Sequence, residues 1–213
     1  MLRPSDQEYI LTRKIKTGKL AMDAKFLPFA KWINETYKVE ILNIITDTIN
    51  SGTTRLQLIF EFQKDVDIFL LKNRFSQSSR KAKVIEKKYN DLFDIDPKNS
   101  MLVLFYAFEP LAKQEVVTSV PLTITNSFKN RHQENLWKVV GFGEHVTFFF
   151  FSNEALQKAQ DTQETSRIKE DYFSLLKPFD KFDYFSLENF HAIFDSKENF
   201  DQNYGSNWRW YYS

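Results

Sequence analysis

The same local pattern occurs twice along the chain, and no other feature limits its folding as strongly. In each copy an amphipathic helix leads into a hairpin of apolar strands, and a second helix follows. The first copy occupies residues 29–34, 39–48 and 55–62 and continues from Asp65; the second occupies 127–130, 136–142 and 145–151 and continues from Asn153. A hairpin with a short turn must pair its strands antiparallel. The expectation is therefore an α+β fold, an antiparallel or mixed sheet covered by helices.

The finer reading is two ferredoxin-like helix–hairpin–helix halves, residues 1–98 and 99–213, or alternatively one domain over 1–213. Residues 1–18 read as an arm with a short strand at Tyr9-Ile10-Leu11. Residues 20–36 read as a helix that Pro28 kinks or starts later. Strands are expected at 39–48 and 54–62, joined by the turn Asn50-Ser51-Gly52. In the second strand Leu56, Leu58, Phe60 and Phe62 share a face, with Ile59 as the exception on the other. Asp65 is placed as a helix cap, and the helix breaks at 76–79 and resumes over 81–93. Residues 96–99, with Pro97, form a loop.

Residues 101–108 are apolar throughout and predict a central strand buried on both faces, ended by Pro110. Residues 111–135 read either as strands around Val116-Val117 and 122–125 or as a helix after Pro121. The second hairpin turns at Gly143-Glu144, and Phe148 to Phe151 are apolar on both faces. A helix is expected over 153–176, a short helix over 187–194 and a closing strand at 208–212.

With 213 residues, the chain is long enough to bury roughly 70% of its unfolded surface. Cysteine is absent, which excludes disulfides, thiolate metal sites and a thiol nucleophile. Residues 1–19 lack the apolar core of a signal peptide, and the longest apolar run falls far short of the ~20 residues of a membrane helix. The expectation is a soluble, cytoplasmic protein without membrane association. The 22 phenylalanines supply large buried area per residue, and the 5 glycines leave few tight turns or phosphate-cradling loops. Residues 1–100 carry 18 Lys and Arg against 13 Asp and Glu, a net +5; residues 101–213 carry 11 against 15, a net −4. Such polarity orients an acidic partner toward the N-terminal half.

Motifs for phosphate loops, nucleophile elbows, zinc proteases and calcium loops are missing. His132, His145 and His191 are scattered, and neither a metal nor another cofactor is expected. One enzymatic lead is Asp47 followed by Glu61-Phe62-Gln63. Metal-dependent nucleases of the restriction-endonuclease type set an acid on one hairpin strand and Glu-x-Lys or Glu-x-Gln on the next, so that two carboxylates share a Mg²⁺. Glu35 on the preceding helix would complete the set. A second lead is the basic stretch over 72–88, with Arg80, Lys81, Lys83 and Lys87 as phosphate contacts beside Lys72, Arg74 and Lys88. The third is the aromatic terminus, Trp208, Arg209, Trp210, Tyr211 and Tyr212. As a strand it puts Trp208, Trp210 and Tyr212 on one side, to close the sheet or meet a partner. Three functions follow: a non-enzymatic binding or interaction module with a protein partner or self-association, a nucleic-acid-binding protein, and a metal-dependent nuclease.

Overall fold

In the computed structural model, which describes residues 2–49, 52–71, 77–96, 98–132 and 134–213, both copies of the pattern take the same arrangement of strands. The first copy runs α1 (Gln7–Lys16), a 3-10 turn (Ala24–Phe26), α2 (Leu27–Tyr37), β1 (Ile41–Thr48), β2 (Thr54–Phe60), α3 (Gln63–Asp67), α4 (Ser79–Phe93) and β3 (Met101–Ala107). β1 and β2 pair antiparallel, and β3 lies parallel to β2 on its other side. After α5 (Phe108–Ser119), the second copy runs α6 (Leu122–Arg131), β4 (Leu136–Phe142), β5 (His145–Phe150), α7 (Asn153–Asp161), α8 (Glu164–Leu176), β6 (His191–Ser196), α9 (Lys197–Tyr204) and α10 (Trp208–Tyr211). Again the hairpin pairs antiparallel and the third strand lies parallel to the second. Each hairpin also has an irregularity at the start of its first strand, between Ile41 and Asn43 and between Leu136 and Lys138. The fold is α+β, and the chain divides into two compact units, Met1–Leu111 and Ala112–Ser213. No described helix is long and apolar enough to cross a membrane.

In the first unit one face of the sheet carries Ile41, Ile44, Leu56, Leu58, Phe60, Val103 and Phe105 into a core closed by α2 and α4. α2 starts at Leu27 because Pro28 fits the first turn, where its missing N–H costs nothing. α4 is capped by Ser78, whose hydroxyl accepts from the Lys81 N–H, and buries Ile85 and Tyr89 one turn apart. Phe69 stacks at 4.6 Å on Phe105 and at 5.1 Å on Phe60. The other face is covered by α1, not by a loose arm. The strand expected at Tyr9–Leu11 is helix, and it buries Thr12, whose hydroxyl accepts from the Asn43 carboxamide, and Tyr9, which stacks on Phe108 at 5.0 Å, while Glu8 accepts from Gln57. Ile59 breaks the alternation because both faces of β2 are covered.

The central strand is thus β2, and β3 stands at the end of the sheet, which corrects the position expected for 101–108. Val103, Phe105 and Ala107 point into the core, while Leu102 on the opposite face is 41% exposed. A run of large apolar residues looks the same whether its second face is covered or half open. Pro110 falls in the first turn of α5, so the chain passes straight from strand to helix. Asp65 lies inside α3 and is buried rather than capping it. The turn residues Asn50 and Ser51, the break at Ser76, and Lys72, Arg74 and Pro97 lie outside the described residues.

In the second unit Val146, Phe148 and Phe150 enter a core formed with Phe128, Ile168, Tyr172 and Leu176. Phe149 is equally buried but faces the other way, so β5 is the strand closed on both sides. Phe151 is 49% exposed. The segment after Pro121 is helical, and the long helix expected over 153–176 breaks at Thr162-Gln163, with Gln163 at φ 60°. Two further expectations change. Residues 191–196 form β6 rather than a helix, and 208–211 form α10 rather than a strand. Gly205 and Ser206 at positive φ turn the chain, and the Asn207 carboxamide caps the helix by accepting from the Arg209 and Trp210 N–H groups.

Candidate functional site

The acidic set does not converge. Asp47 pairs across the hairpin with Arg55, near the turn, whereas Glu61 follows Phe60, which pairs with Ile41 at the other end. Six residues of strand separate the two levels, about 20 Å at ~3.3 Å per residue. Each acid has its own cation. Asp47 holds the Arg55 guanidinium, which also reaches Glu8 at 3.5 Å. The Arg55 hydrogen bond keeps the Asp47 carboxyl below its usual pKa. Glu61 accepts from Lys16 at 2.7 Å, which ties α1 to the end of β2. Glu35 is exposed on α2 beside Lys31, and Gln63 donates to Asp67 at 2.9 Å. The near neighbour of Glu61 is Asp65, whose pKa burial raises. These positions serve to dock α1 and to close the hairpin, and Asp47 and Glu61 cannot share a metal ion at that separation.

The basic segment is divided by the helix it forms. Arg80, Lys83 and Lys87 are exposed at helical spacing on one side of α4, with Val84 between them. Lys81 turns inward, and its ammonium donates to the Ile68 carbonyl. Lys88 lies over the Trp32 ring at 5.9 Å. Three of the four expected contacts therefore form one row, spanning about 10 Å at 1.5 Å per residue.

The aromatic terminus also sorts by helical rather than strand period. Trp208, Tyr211 and Tyr212 turn inward, and Arg209 and Trp210 turn out, with Trp210 63% exposed. Trp208 stacks on Phe200 at 4.1 Å and on Trp137 at 6.2 Å, with the Lys138 ammonium 4.5 Å over its ring. Tyr212 stacks on Phe142 at 4.3 Å. The Tyr211 hydroxyl donates to Asp195, and burial together with that carboxylate drives its pKa far up. Most of the cluster covers the sheet.

One grouping was not legible in the sequence: His145 and His191 are opposite each other on β5 and β6. Recognising 191–196 as a strand would have paired them. Among the described residues no three His, Asp or Glu side chains form a metal-binding group. Comparison with family models, curated proteins and solved structures gives no match.

Proposed function

We propose that the protein acts by binding rather than by catalysis, and that it holds the phosphate backbone of a nucleic acid along α4. The observation that carries this reading is the row Arg80, Lys83 and Lys87, exposed on one side of a helix whose opposite side is fixed in the core. Cations on a rigid element need little reordering to meet successive phosphates, and their neutralisation releases counterions from the nucleic acid. The unit that carries α4 is net positive, with 18 Lys and Arg against 14 Asp and Glu over residues 1–111. A cytoplasmic setting goes with such a partner. The nuclease alternative loses its support because Asp47 and Glu61 stand far apart, each in an ion pair.

A protein partner is the second reading, and exposed Trp210 beside Arg209 is the observation that favours it. Fluorescence anisotropy with labelled single-stranded DNA, duplex DNA and RNA at low salt tests the first. Saturable binding that falls when Arg80, Lys83 and Lys87 are changed together to Gln supports it. Absence of binding to all three probes overturns it.

A further inference from the structure

We propose that β6 is a self-association edge, where two copies of the chain pair their β6 strands antiparallel about a two-fold axis. β6 is the last strand of its sheet, and among the described residues its ladder runs to β5 alone. An open edge is a template for another strand, and monomeric proteins blunt such edges with lysine, proline or a bulge. The opposite edge strand, β4, has such devices: an irregularity beside Trp137, then Lys138. β6 pairs in unbroken register over His191–Ser196 without lysine, proline or a bulge, and its one carboxylate, Asp195, is engaged within its own unit by Ser196, Asn199 and Tyr211. Ile193 is 40% exposed there, beside exposed His191.

The strand is complementary to itself. With Ile193 on the axis, the two isoleucines face each other, Ala192 faces Phe194 of the second copy, and His191 faces Asp195. The first pair buries apolar surface, the second sets small against large, and the third sets a cationisable ring against a carboxylate. Asp195 is held in place by Tyr211 and Asn199. Ala192 and Phe194 already border the core, so pairing would extend that core across the axis. A two-fold contact of this kind uses one patch twice and closes on itself. The occupant is thus a second copy, and the sheet becomes six-stranded.

Sedimentation velocity of the full chain over a range of concentrations tests the proposal. The expected result is a reversible monomer–dimer equilibrium. Ile193→Lys sets two like charges together on the axis and should abolish the dimer. His191→Asp faces Asp195 with a like charge twice and should raise the dimer dissociation constant about tenfold or more, while His191→Lys should leave it unchanged or lower it. Position 191 is exposed, so neither substitution there disturbs the fold. A wild-type protein that stays monomeric at every concentration overturns the proposal. So does a dimer that tolerates Ile193→Lys, or one that responds alike to Asp and Lys at 191.

Discussion

Gly141 lies where an added methyl group has no room. A Cβ there would come within 2.5 Å of the Val117 Cγ1 atom on α5. Overpacking of this kind typically costs about 1–3 kcal/mol. Gly141→Ala should therefore lower stability by that amount in a urea titration, and an unchanged midpoint would contradict the contact. Single residues also carried signals about their surroundings. Ile59, the exception in the alternation of β2, marks the face that α1 covers. Nothing in the sequence distinguishes Lys81, which donates to the Ile68 carbonyl, from Lys83, which faces solvent; that depends on how α4 is rotated against the sheet.

At the level of elements, β3 is buried on one face only. Phe105→Ala should cost about 3–5 kcal/mol, whereas Leu102→Ala should remain within about 1 kcal/mol. Equal losses in thermal or chemical unfolding would mean that the second face is also closed. α10 makes a parallel prediction. Trp208→Ala should cost about 2 kcal/mol through lost burial against Phe200 and Trp137, and Trp210→Ala less than about 0.5. Similar losses at the two positions in the same unfolding measurement would favour the strand geometry, which sets both rings on one side. Hairpins and the longer helices were legible because periods of two and 3.6 repeat several times within them. β6 and α10 were not, since six and four residues hold too few repeats, and partners distant in sequence decide their form.

For the whole molecule, the repeated pattern corresponds to two units of the same strand order, each with its own core. The repetition was readable from the two hairpins. The parallel third strands were not, because β3 and β6 join their hairpins only through long crossovers and leave no local trace of register. Each unit buries a tyrosine whose pKa is raised chiefly by desolvation, Tyr89 in the first and Tyr172 in the second. Their contribution to stability is complete below the ordinary value of 10.0. It is lost as pH rises through the higher values of the folded state, because the unfolded chain releases these protons first. Stability should therefore fall above about pH 10, with tyrosinate absorbance appearing together with unfolding. Ionisation of these tyrosines in a protein that stays folded would contradict their burial.

The claim that α4 is a phosphate-binding surface is tested most directly by the salt dependence of nucleic-acid affinity. The slope of log affinity against log salt should fall by about 0.9 for each cation removed from contact with duplex DNA. Changing Arg80, Lys83 and Lys87 singly to Gln should each produce that fall, and Lys81→Gln should leave the slope unchanged while lowering stability. A slope that ignores the three exposed positions, or that changes as much at Lys81, would contradict the account.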